Sequence, residues 1–253
     1  MTRCSLHNHT DFADGRDTAE AMAAAPAGLE VVPGIEISTR YHTAVHILGY
    51  YIDSSNAQMR QALDWVLNDR DRRNRLICDT MHADGLPVNY EQLKQRFGQV
   101  IGRPHFARLC VEFGLAQDVQ DAFRRFVGKD CRYYSPRNFL TIEQSIALIR
   151  GAGGIPVLAH PFQYRLDDGA LRELIEHCID SGLRGMECFY SGYTEEQSRY
   201  LLSLAGEYHL LVTGGSDFHG ENKSWIQLGT GTGSLQVPAA LLAALREVHE
   251  AGI

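Results

Sequence analysis

The chain has 253 residues, 44% hydrophobic and 22% charged, enough to bury a full core as one large domain or as one domain carrying an insertion. A formal net charge of −7 argues against duplex DNA as a partner, while leaving room for a local basic patch that grips a phosphate. The chain does not open on a basic stretch followed by an apolar run, and no run of about 18 apolar residues occurs in it. Neither a signal peptide nor a membrane partner is therefore expected, and a cytoplasmic location is.

In chain order, Cys4 to His7 predicts a strand, followed by strands over Glu30 to Ile37 and Val45 to Ile52. The rhythm then changes to helix after helix: Met59 to Gly85, rich in Arg and Asp, and two more near Arg103 and Asp118. Residues 54–135 are thus expected as a helical insertion between 1–53 and 136–253, which form the main body. Beyond it, strands over Ile155 to His160, Gly185 to Phe189 and Leu210 to Thr213 alternate with helices over Ile142 to Gly151, Ala170 to Ser181, Glu195 to Tyr208 and Pro238 to Ala251. Strand-then-helix repetition predicts an α/β fold with a mostly parallel sheet or barrel. Six cysteines (Cys4, Cys78, Cys110, Cys131, Cys178 and Cys188) lack C-x-x-C spacing and read as reduced structural thiols.

The chemistry gathers at strand ends. In His7-Asn8-His9, alternate residues of a strand can turn two imidazoles to one cation. Asp14-Gly15 follows, and Glu36 interrupts an otherwise apolar strand, where a buried carboxylate needs a cation or strong donors. His46, His160, Asp217 and His219 each stand beside an apolar strand. Any one of these is more often a satisfied core residue than a ligand; five strand ends offering such groups together point to a shared site. Mixed imidazole and carboxylate donors suit zinc, manganese or iron, rather than magnesium or calcium. Such cations turn water into a nucleophile at neutral pH and neutralise charge on a phosphate ester.

His7-Asn8-His9, Asp14-Gly15, Pro33 to Ser38, His46-Ile47-Leu48-Gly49, Ala159-His160-Pro161 and Ser216 to His219 together resemble the PHP (polymerase and histidinol phosphatase) family, over nearly the whole chain. The insertion, with Arg103-Pro104-His105-Phe106-Ala107-Arg108, resembles the branch of 3',5'-nucleotide bisphosphate phosphatases and 5'-to-3' exoribonucleases of the RNase AM type. The resemblance implies a distorted (β/α)7 barrel and three divalent ions, manganese foremost, with zinc or iron as alternatives. It implies that His7, His9 and Asp217 hold one ion, that Glu36 bridges to a second held by His46 and His160, and that Asp14 and His219 serve the third. Catalytic roles then fall to Glu36, Asp14, His219 and Arg103, and substrate contacts to Arg70, Arg73, Gly102, Arg103 and His105.

The implied activity is hydrolysis of phosphate monoesters of nucleotides such as pAp, with short RNA 5' ends as a second substrate class and histidinol phosphate as the alternative. One departure stands out: the family's Thr-Asp-His-Asp motif is absent, Asp14-Gly15-Arg16 running directly into Asp17-Thr18-Ala19-Glu20. Its histidine would join Asp14 and His219 at the third ion, so a non-catalytic nucleotide- or metal-binding module is the rival from another class.

Overall fold

The structure, a computed structural model, describes residues 4–8, 30–98 and 100–252. Two apolar runs flank Tyr41-His42-Thr43 and pair as a hairpin. Strand β1 (Gly34–Arg40) lies antiparallel to β2 (Ala44–Tyr50), with Glu36 opposite Leu48 and Ser38 opposite His46. So short a connection allows no crossover, which forces the antiparallel sense. The sheet continues with β3 (Ile155–Leu158), β4 (Gly185–Tyr190) and β5 (Leu211–Gly215) in the order β1-β2-β3-β4-β5. β2 and β3 are antiparallel, whereas β3 to β4 and β4 to β5 are parallel.

The expected mostly parallel sheet is corrected accordingly: the pairs β1–β2 and β2–β3 are antiparallel, and only the later half, where a helix carries the chain from each strand to the next, is parallel. The α/β class holds. The described residues carry five strands against the seven of the family's barrel. The segment Cys4–Asn8, of which Cys4 to His7 is the expected strand, forms only an isolated bridge beside β5: the Leu6 N–H donates to Gly214 O at 3.0 Å, the Asp217 N–H donates to His7 O at 2.8 Å, and Asn8 bridges Phe218 in parallel.

Sequence capping explains where the helices start. Thr141 and Thr194 accept the N–H of Gln144 and Gln197 while those glutamines reach back, opening α5 (Ile142–Gly151) and α7 (Glu195–Glu207) with capping boxes. Asp167 caps α6 (Asp168–Asp180) through the Ala170 N–H. Helix α8 (Ala240–Glu250) sends Leu245 into a core with Leu48, Tyr50, Ile155, Val157 and Ala159.

The chain divides into two compact units, Met1–Arg60 with Phe139–Ile253, and Gln61–Asn138. In the second unit, most of the long helix α1 (Ala57–Ala83) joins α2 (Tyr90–Phe97), α3 (Arg103–Glu112), the short α4 (Val119–Ala122) and a π turn, Phe123–Val127. Helix α2 was not expected; Asn89, accepting the N–H of Glu91 and Gln92, is its start signal. Ile77, Met81, Leu93, Ile101, Phe106 and Cys110 form the core of this unit. Asn74, fully buried there, donates to Tyr90 Oη at 3.2 Å and Ile101 O at 2.9 Å. All six cysteines are free thiols. Among the described residues no helix is long and apolar enough to cross a membrane.

Candidate metal centre and arginine cluster

Strand pairing places Glu36, Ser38, His46 and Leu48 on one face, because residues opposite each other in a ladder point to the same side. β2 runs against β3, so His46 near the start of β2 stands at the carboxyl end of β3, where the Ala159 N–H donates to His46 O at 3.1 Å and His160 follows. Asp217 stands beyond the carboxyl end of β5, beside His7. Three imidazole nitrogens converge on Glu36 Oε1: His46 Nδ1 at 2.8 Å, His160 Nε2 at 3.0 Å and His7 Nε2 at 3.6 Å. His7 Nε2 is also 3.4 Å from Asp217 Oδ1.

The ligand atoms of Glu36, His46 and His160 all lie within 4.8 Å of one another. Donors bound about 2.1 Å from one ion stand roughly 3 to 4 Å apart. The donor set and its spacing therefore fit a divalent ion at Glu36, His46 and His160, with His7 and Asp217 alongside. His219 is buried beside them, its Nδ1 2.8 Å from Asp217 O and 3.4 Å from Asp217 Oδ1. His9 and Asp14 lie outside the described residues.

Two of these side chains are presented by unusual backbone. His160 has φ 26° and Asp217 φ 53°, a left-handed region that costs a residue with a β-carbon about 1–3 kcal/mol and persists only where surroundings impose it. The surroundings are specific. Tyr190 Oη and Lys223 Nζ each donate to Asp217 Oδ2 at 2.7 Å. Burial, and then the Asp217 carboxylate, push the Tyr190 phenol far above its ordinary range, so it stays a neutral donor. Glu187, fully buried in β4, lies against His7 and His160. Burial alone would depress the His7 imidazole, but the carboxylates of Glu187, Glu36 and Asp217 outweigh it and raise its pKa.

In the helical unit, Arg70 and Arg73 of α1, Arg103 at the start of α3 and Arg137 gather into one cluster. Arg73 is buried, and its pKa falls to about 10, first through desolvation and then through the charges of Arg137, Arg70 and Arg103. Desolvation first, then the charges of Arg70 and Arg103, lower Arg137 to about 10 against the opposing pull of Asp69. Arg103 rests its guanidinium about equally over Phe123 and Tyr134, at 6.0 and 5.9 Å from the ring centres. His105 accepts the Gly102 N–H at Nδ1, 2.9 Å away, closing the N-terminus of α3 as a capping side chain. A buried cation among three others is costly alone, and an anion bound to the cluster would relieve it.

Sequence reasoning missed Glu187, Tyr190, Lys223 and Arg137. Glu187 carried the signal that exposed Glu36, an acid inside the apolar strand Gly-Met-Glu-Cys-Phe-Tyr. The other three carried none, since their roles come from loops and strand ends that meet only in three dimensions.

No family model matches the chain. It is similar to the 5'-3' exoribonuclease Rnm of Salmonella typhimurium, 33% identical over 256 residues that span 88% of this chain and 87% of that protein. A 3',5'-nucleoside bisphosphate phosphatase of Chromobacterium violaceum is 27% identical over 83% of this chain and 74% of its own. Among solved structures, one assigned as a metal-dependent phosphoesterase from Bifidobacterium adolescentis superposes with a TM-score of 0.76 at 29% identity, over 95% of this chain and 94% of that one. The alignment with the Salmonella protein is longer than the chain's 253 residues, so that relative carries residues this chain lacks.

Proposed function

The chain belongs to the PHP family, in the branch of the Rnm exoribonucleases and nucleoside bisphosphate phosphatases, and is a metal-dependent phosphoesterase; we propose that it hydrolyses phosphate monoesters of 3',5'-nucleoside bisphosphates such as pAp, with short RNA 5' ends as a second substrate class. The observation that carries this reading is Glu36 Oε1 at the focus of three imidazole nitrogens, with Asp217 at the same nitrogen of His7. Divalent ions bound there, three by the family resemblance with manganese foremost, would supply an activated water and neutralise charge on the phosphoryl oxygens.

The chain's own residues do the rest. Glu36, His7, His46, His160 and Asp217 bind and space the ions, with His9, Asp14 and His219 completing the set. Lys223 and Tyr190 fix Asp217 so that Oδ1 faces the His7 ring. Arg73, with Arg70, Arg103 and Arg137, takes a substrate phosphate: guanidinium groups pair with phosphate oxygens in a fixed fork, and the buried Arg73 gains most from such a partner. Gly102 gives that ligand close backbone approach. Its φ of −125° is open to any residue, and an added Cβ would meet only Pro104 Cδ at 3.4 Å, so the fold itself does not demand glycine there.

The test is metal content by elemental mass spectrometry alongside phosphate release from pAp with added Mn²⁺. Glu36→Gln is expected to lose bound metal and turnover together; an unimpaired Glu36→Gln enzyme would sink the reading. The absent Thr-Asp-His-Asp motif favours a second outcome, a binding module, which would register as tight metal and pAp binding without phosphate release.

A further inference from the structure

We infer that Glu187 is a positioning residue of the metal centre: it fixes the His7 ring so that Nε2 faces the ions, and it holds the His160 backbone in the turn that brings that ring to Glu36. The inference rests on the proposed metal-centre reading.

Glu187 lies in β4, fully buried. A carboxylate at 0% exposure needs strong donors to offset its desolvation. Two donors meet it. His7 Nδ1 lies 3.1 Å from Oε1 and 3.3 Å from Oε2, and the backbone N–H of His160 donates to Oε2 at 2.9 Å.

A neutral imidazole has one N–H and one lone pair, and an ionised carboxylate only accepts. Set against Nδ1, Glu187 draws the ring proton there and leaves the lone pair on Nε2, the nitrogen that stands 3.6 Å from Glu36 and 3.4 Å from Asp217. The second contact acts on backbone: His160 sits at φ 26° and ψ 62°, and its N–H in that turn is taken by Glu187. One carboxylate thereby sets two of the proposed ligands, His7 and His160. Because both its oxygens are turned to N–H donors, it acts through His7 and His160 and does not itself bind an ion.

The consequence is read on zinc binding, apart from turnover. In wild-type protein loaded with zinc alone, ¹⁵N-histidine NMR is expected to find His7 protonated at Nδ1 and coordinated through Nε2, its signal identified by its loss in His7→Gln. Glu187→Gln offers one carbonyl oxygen to two N–H donors and turns an amide NH₂ toward the other. Zinc affinity is expected to fall about 10- to 100-fold, with the helical circular dichroism unchanged. In a His7→Gln background the same change should cost less than in the wild type, because only the contact to the His160 backbone is left to lose.

Zinc bound through His7 Nδ1, or a folded Glu187→Gln protein with wild-type zinc affinity, would overturn the inference while leaving the phosphoesterase reading intact. A wild-type protein that binds no zinc or manganese would overturn the metal-centre reading and this one with it. If Glu187→Gln does not fold, the wild-type ring assignment decides alone.

Discussion

Gly215 illustrates how one residue can carry a site without bearing any chemistry. A Cβ built there would stand 2.3 Å from the His7 backbone nitrogen and 2.5 Å from its Cβ, closer than atoms approach, so only glycine lets residues 4–8 lie flat against β5. Gly215→Ala should push His7 away from Glu36 and Asp217. Metal affinity is expected to drop by about tenfold or more and stability by about 1–3 kcal/mol, measured by metal titration and chemical unfolding. An alanine variant that binds metal like wild type would mean that the placement of residues 4–8 does not depend on this close fit. Arg73 makes a different prediction. Removing a buried like-charged group should cost the ligand-free protein little or stabilise it, so Arg73→Met is expected to keep or raise the melting temperature. The upward shift that added phosphate or pAp gives the wild type, about 2.7 kcal/mol at a hundredfold excess over Kd, should shrink. An undiminished shift in Arg73→Met would remove the cluster from substrate binding.

At the level of elements, Asp69 ties α1 to the end of its unit: it accepts the backbone N–H of Asn138 at 2.8 Å, Asn138 Nδ2 at 2.9 Å and Arg72 Nη2 at 2.7 Å. Burial, the largest single influence, pushes its carboxyl up, but these donors together outweigh it and hold its pKa below the ordinary value. A depressed carboxylate stabilises the fold above its unfolded pKa of about 4, and that contribution is lost as pH falls through the lower folded value. Asp69→Asn should therefore lower stability at pH 7 by about 1–3 kcal/mol and flatten the acid limb of the curve below about pH 4. Equal acid sensitivity in variant and wild type would show that other carboxylates govern that limb.

Elements also mark how far the sequence could be read. The helix Ile142–Gly151 matches its predicted span, and the helices opened by Asp167 and Thr194 start within two residues of theirs, because their caps are local. Glu36, His46, His160, Asp217 and His219 stand out in the sequence as candidate ligands because each breaks or borders an apolar run with a metal-capable group. The direction of β2 was not legible, since strand sense depends on connections and partners rather than on periodicity. Arg137 and Lys223 were not either, for a charged residue in a loop looks solvated until the groups it faces are known.

In the molecule as a whole, the candidate ligands of the proposed metal centre are drawn from the far ends of one unit. His7 meets Asp217, Ser5 Oγ meets the Ser216 N–H, and Cys4 N donates to Val237 O, contacts that close loops of more than two hundred residues. Long-range closure of this kind comes late in folding. A nascent chain emerging at roughly 5–20 residues per second exposes His7, Glu36, His46 and His160 well before β5 leaves the ribosome, yet it has no wall against which to hold the first of them. Until Gly214 and Gly215 arrive, the amino-terminal histidine has no strand to lie on. Metal capture at the proposed centre would thus report that the last strand of the sheet has been made, and a ribosome stalled before that point would present a chain that has most of the candidate ligands and cannot assemble them.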